Sequence, residues 1–171
     1  MIEIIPAIMP DTMSDLQQKM AAVTGFVPLV QVDVMDGVFV PNKTWPYKNR
    51  PDTDFDKIIK EEGGFPFWEE LDFEADLMVA DPVAVAQDWI SAGANRLIIH
   101  LDSISDATEG SLGEDSADSN ARATATAHKA LEKIRAMLPV EDSILYTEIG
   151  LAVRPGTPLE KIEPHLDVVD F

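Results

Sequence analysis

Short apolar runs of strand length alternate with amphipathic segments of helix length along nearly the whole chain, and few folds accept that pattern. Residues 3–8 form a β-branched run closed by Pro10. Residues 12–24 follow at helical spacing, with Leu16, Met20 and Val23 on one side and Gly25 as a stop signal. The Val-rich run 27–34 reads as a strand buried on both faces. Residues 36–67 are rich in Pro, Lys and Asp, which predicts a long loop with one helical turn around 57–62. A third strand is predicted at 73–79. A helix follows at 81–92, with Pro82 in its first turn and Gly93 past its end. Residues 96–101 read as the fourth strand and 102–120 as an acidic, mobile insertion. A helix at 121–138 stops at Pro139. The fifth strand is expected at 143–153, a short helix at 159–165, and the start of a sixth strand at 168–171.

Such alternation, with near-continuous apolar strands, argues for a parallel sheet with helical crossovers. Two parallel architectures compete. A dinucleotide-binding doubly wound sheet wants G-x-G-x-x-G after its first strand, and Ala7-Ile8-Met9-Pro10 offers nothing like it. A (β/α)8 barrel wants functional side chains at the C-terminal ends of several strands. Those are present. The reading is α/β, a TIM barrel that is incomplete here, with about six of eight strand–helix units in a single truncated domain over 1–171.

At 171 residues the chain can bury roughly 70% of its unfolded surface without a staple. It has no cysteine, which removes disulfides and thiol chemistry and fits a cytoplasmic protein. The N-terminus lacks the pattern of a secretory signal, and no run approaches the ~18 apolar residues of a membrane helix. A net charge of −18 argues against nucleic acid and anionic membranes as partners. It does not exclude a small phosphorylated metabolite, because backbone N–H groups at helix starts hold phosphate whatever the global charge.

Polar residues inside the strands carry the functional signal. Side chains alternate faces, so Gln31, Asp33 and Met35 share one face, opposite Val30, Val32 and Val34. A carboxylate in such a strand should be hydrogen-bonded, metal-bound or catalytic. The third strand repeats the arrangement with Asp76 and Met78, and the fourth ends in His100 and Asp102. Taken singly, each polar group also fits a strand cap, each methionine fits core filling, and His100 fits a satisfied structural histidine. Asp36 and Gly37 read as turn formers.

The segment Gln31-Val-Asp-Val-Met-Asp-Gly-Val-Phe-Val-Pro-Asn42 closely resembles the signature after strand two of ribulose-phosphate 3-epimerases. Ile5-Pro-Ala-Ile8, Asp76-Leu-Met-Val79, Gly93-Ala94 before Ile98-Ile-His-Leu101, and Gly150-Leu-Ala-Val-Arg-Pro-Gly-Thr-Pro-Leu159 match in order and spacing. The resemblance implies a (β/α)8 isomerase of carbohydrate (pentose phosphate) metabolism that inverts C3 of a ketopentose 5-phosphate. Removing the proton beside the C2 ketone gives an enediolate, which a divalent metal stabilises while two aspartates exchange the proton. By motif position Asp33 corresponds to the first of these aspartates and to a metal ligand. Met35 and Met78 correspond to the thioether residues lining the site. Ala7, Asp76 and His100 fall at substrate-facing positions. The resemblance also leaves homo-oligomers open.

Three positions depart from that pattern. The family usually has His at the positions of Gln31 and Asp76, and Ser at that of Ala7. The remaining metal set, Gln31, Asp33 and Asp76, is all oxygen, which favours Mg²⁺ or Mn²⁺ over the Zn²⁺ or Fe²⁺ that the family also admits. The family's second catalytic aspartate lies on strand seven, beyond Phe171. Two alternatives stay open. One is another sugar-phosphate lyase or isomerase of the same superfamily, although Asp72-Phe-Glu-Ala-Asp76 lacks the lysine those relatives carry. The other is a degenerate barrel that binds a sugar phosphate without turning it over.

Overall fold

The computed structural model describes residues 3–49, 51–109, 117–138 and 146–171. Its strands are β1 (Ala7–Ile8), β2 (Leu29–Met35), β3 (Asp72–Met78), β4 (Arg96–His100) and β5 (Glu148–Ala152). The helices are α1 (Met13–Ala21), α2 (Thr53–Ile59), α3 (Pro82–Ser91), α4 (Leu101–Glu109), α5 (Ala117–Arg135) and α6 (Leu159–Ile162), with a 3-10 turn at Glu163–His165.

Every strand pairs in parallel with the next one in sequence, in the order β1-β2-β3-β4-β5. A doubly wound sheet reverses its order at a switch point. Here the sheet is wound in one direction, the sequential run of strands that a (β/α)8 barrel requires. These five strands do not close a ring. Beyond β5 the backbone of Asp170 donates to Ile149 O at 2.7 Å, and Leu151 N donates to Phe171 O at 3.0 Å. The expected sixth strand at 168–171 does not form; those two hydrogen bonds tie its residues to β5 without a ladder. Gly150 makes room for Phe171, since a Cβ there would meet the Phe171 ring at 2.5 Å.

Local chemistry explains most boundaries. Thr12 caps α1 by accepting from Asp15 N, and Asp81 caps α3 by accepting from Ala84 N. Pro82 starts α3, and Gly93 leaves it at φ +92°, a backbone conformation that suits glycine. The long segment after β2 holds more helix than its composition suggests. α2 begins at Thr53 rather than near 57 because Asp52 accepts from both Asp54 N and Phe55 N. The predicted acidic insertion is also corrected in part. Residues 101–109 continue straight from β4 as helix α4, and α5 already begins at Ala117. The middle of that insertion, 110–116, lies outside the described residues, as do residues 143–145 of the expected fifth strand. Among the described residues, no helix is long and apolar enough to cross a membrane.

The outer face of the sheet is the core. Val30, Val32, Val34, Ala75, Leu77, Leu97, Ile99 and Ile149 are fully buried beneath α1, α3 and α5 with Leu16, Met20, Trp89 and Leu131. Each fully buried aliphatic side chain contributes about 1.5–3 kcal/mol. That apolar layer fixes the register, because a one-residue slip of β2 would bring Gln31 and Asp33 under the helices.

Candidate functional site

The inner face of the sheet carries the polar residues. Asp33 on β2 stands opposite Asp76 on β3, and Met35 stands opposite Met78 one step further toward the strand ends. Ala7 on β1 stands opposite Gln31. The structure thus brings Gln31, Asp33 and Asp76 together on the inner face, with His100 at the end of β4.

Their contacts form one connected set. Gln31 Nε2 donates to Asp33 Oδ1 at 2.7 Å and lies 3.4 Å from Asp76 Oδ2. His100 Nε2 is 2.8 Å from Asp76 Oδ1, and against an ionised carboxylate that nitrogen carries the proton. The Phe39 ring, from the loop after β2, packs on the imidazole with centroids 5.5 Å apart. Met35 is buried and Met78 half-buried beside this set, while Ala7 is exposed on the short β1.

Asp33 is only 8% exposed, and burial pushes its carboxyl above the ordinary carboxylate value. The Gln31 hydrogen bond opposes that shift, the nearby Asp76 charge reinforces it, and His100 opposes it. A buried carboxyl raised above its ordinary value is suited to accepting and returning a proton.

Two further residues hold this arrangement, and only one had a sequence signal. Thr44 is buried in the loop after β2. Its Oγ1 donates to Asp33 O at 2.7 Å and accepts from Met35 N at 2.8 Å, continuing the edge of β2 where no strand lies. Nothing in its loop composition marks it. Asp36 does form the expected turn, accepting from Val38 N and Phe39 N through Oδ1. Its Oδ2 also accepts from Ala80 N at 2.8 Å, tying the loops after β2 and β3 together. Gly37 follows at φ +79°, a conformation that admits glycine readily.

The donor chemistry fits a hard, oxygen-seeking cation. Two carboxylates from neighbouring strands converge on one amide, and a half-turn of that amide exchanges Nε2 for Oε1 at the same place. Mg²⁺ is commonly held by one or two carboxylates, with water and substrate oxygens completing its shell. Among the described residues no three His, Asp or Glu side chains form a metal-holding group, so the set rests on Asp33, Asp76 and the Gln31 amide.

The comparisons with known proteins agree with the fold. The model of the ribulose-phosphate 3 epimerase family matches residues 3–147. The chain is 28% identical over 175 residues to the chloroplastic ribulose-5-phosphate-3-epimerase of Arabidopsis thaliana, covering 99% of this chain and 47% of the relative. It is 28% identical over 170 residues to ribulose-phosphate 3-epimerase of Rhodobacter capsulatus, covering 99% and 57%. With the Aquifex aeolicus ribulose-phosphate 3-epimerase it shares 25% over 155 residues, covering 91% and 52%. The chain spans about half the length of the curated relatives it matches. A sequentially wound parallel sheet, carboxylates on the inner face of β2 and β3, and a family match over most of its length lead to one assignment: this chain belongs to the ribulose-phosphate 3-epimerase family.

Proposed function

We propose that the chain supplies the β1-to-β5 part of an epimerase acting on a phosphorylated ketopentose, with Asp33 as an acid–base residue at C3. The epimerase activity named for the relatives motivates the substrate class. The observation that carries the role is the state of Asp33: buried, raised above its ordinary value, and held by a single amide it shares with a second carboxylate. Asp33 takes the C3 proton of the substrate. Gln31 keeps the carboxylate aimed into the inner face, and Met35 and Met78 give the reacting carbons an apolar wall that keeps bulk water away. Return of a proton from the opposite side needs a second acid.

Gln31, Asp33 and Asp76 would hold the divalent cation, with Mg²⁺ or Mn²⁺ favoured over Zn²⁺ or Fe²⁺ by the oxygen donors. When bound, the cation supplies positive charge for the enediolate that develops at C2 and C3. The test is exchange of the C3 proton of ribulose 5-phosphate in deuterated water, with each of the four metals in turn. Exchange that disappears in Asp33→Asn supports the reading; no exchange with any metal overturns it.

One observation favours a second reading, a barrel that binds the sugar phosphate without turnover. The Gln31 amide and His100 already satisfy both carboxylates from within the chain. Saturable binding of ribulose 5-phosphate without exchange is the result that reading requires.

A further inference from the structure

We propose that His100 is a positioning residue for Asp76, holding that carboxylate so that one oxygen faces the space shared with Asp33. The inference rests on the cation-binding reading above and deepens it. Asp76 has two oxygens with different partners: Oδ1 is 2.8 Å from His100 Nε2, and Oδ2 turns toward the Gln31 amide at 3.4 Å. An aspartate carboxylate turns freely about its last bond unless one oxygen is committed. The imidazole makes that commitment.

The sheet register explains why His100 does so. Asp76 stands opposite Ile98, so His100 lies two residues further on the same face, within diagonal reach of a short side chain. His100 is itself held. β4 runs directly into α4, and Ser103 Oγ donates to His100 O at 2.8 Å, fixing the backbone at that junction. Phe39 packs on the ring at 5.5 Å and an interplanar angle of 56°. Nε2 is thus engaged by Asp76 and the ring is packed by Phe39, so the residue acts through Asp76. Hydrogen bonds of this kind, one shell behind a ligand, orient it and raise metal affinity.

The experiment is Mn²⁺ titration of the full chain, following free Mn²⁺ by its paramagnetic resonance signal. His100→Phe keeps a ring against Phe39 but removes the donor, and is expected to weaken Mn²⁺ binding about 10–100-fold. His100→Gln, which can place an amide N–H near the same point, is expected to recover most of the loss. In an Asp76→Asn background the His100→Phe change should add little, because the two residues act as a unit. If His100→Phe folds poorly, His100→Asn is the substitute; it is too short to reach Asp76 and should lose the same factor. Wild-type binding that His100→Phe leaves unchanged, or an undiminished effect in the Asp76→Asn background, overturns this inference alone. No Mn²⁺ binding by the wild-type chain overturns the cation reading and this inference with it.

Discussion

Asp33 and Asp76, 43 positions apart in sequence, are directly paired across β2 and β3 and meet at a single nitrogen, Gln31 Nε2. Burial makes ionisation of Asp33 less favourable, and the neighbouring Asp76 charge adds to that effect. A group arranged this way is kept at a cost to folding.

The sign of that cost is testable with Asp33→Asn. A carboxyl raised in the fold adds stability below its ordinary value near 3.8 and loses it as pH rises through the folded value. At neutral pH the ionised Asp33 is therefore a burden. The asparagine keeps an oxygen for Gln31 Nε2 without the charge. Thermal unfolding near pH 7 should show a higher midpoint in Asp33→Asn than in the wild-type chain. Below the ordinary carboxylate value the two proteins should converge. Proton exchange at C3 should fall about 10²–10⁴-fold in the same variant. A lower midpoint at neutral pH would contradict the assignment of Asp33 as a strained, buried acid.

Gln31→Leu separates the amide from the pair it bridges. Its hydrogen bond is the main influence holding the Asp33 carboxyl down, so removing it should drive that carboxyl further upward. Loss of the bond at this partly buried site should cost about 1–3 kcal/mol at neutral pH, read from denaturant unfolding. The cost should shrink in acid, where a protonated Asp33 no longer needs the donor. A pH-independent cost would mean that Gln31 contributes packing only.

Thr44→Val tests the loop after β2. The valine fills the same volume, yet Met35 N and Asp33 O lose their partner at a buried edge of the strand. Leaving a buried backbone N–H unmade costs about 1–3 kcal/mol. Because those two residues frame the carboxylate, Mn²⁺ affinity should fall along with stability. Unchanged affinity would separate the loop from the site.

The fold was legible wherever one local rule dominated. The period-2 pattern of β2 and β3 placed Gln31, Asp33, Asp76 and the two methionines on one face, and the paired register agrees. Pro82 and Gly93 marked the two ends of α3. Errors fell where composition and local chemistry disagree. The stretch 36–67 is polar and Pro-rich, yet a single Asp52 side chain is enough to start α2. Residues 102–109 are acidic and rich in Ser, yet they are helical, continuing β4 without a loop. The role of Thr44 depends on Met35 N being brought 2.8 Å from its hydroxyl, a contact between residues nine apart that no pattern within the loop encodes. The Asp76–His100 contact was hidden for a related reason: it depends on the β3–β4 register, which the sequence of neither strand states.

His165 should give the protein an acid-sensitive edge. It is 1% exposed, and its Nδ1 has no hydrogen-bond partner among the described residues. Its ring stacks near that of His128 on α5, with centroids 5.8 Å apart. Burial pushes its imidazole below the ordinary value of 6.5, the neighbouring His128 pushes the same way, and Asp167 opposes both. Two carboxylates also face His128, Glu132 from the same helix at 3.7 Å and Asp167 at 4.0 Å. A histidine kept neutral in the fold contributes stability that is fully present above 6.5 and is lost as pH falls from there through the folded value, because the unfolded chain takes up the proton first. Its slope is therefore opposite to that of Asp33, and it acts at higher pH. The turn bearing His165 leads directly into the residues tied to β5, where Asp170 Oδ2 accepts from Ile149 N at 2.8 Å and Phe171 O accepts from Leu151 N. Hydrogen exchange at the Ile149 and Leu151 amides should accelerate between about pH 7 and pH 5 beyond the intrinsic change, while Val32 and Leu77 in the middle of the sheet stay protected. In His165→Leu that extra acceleration should vanish. Its persistence in the leucine variant would assign the acid response to the carboxylates around α5 instead.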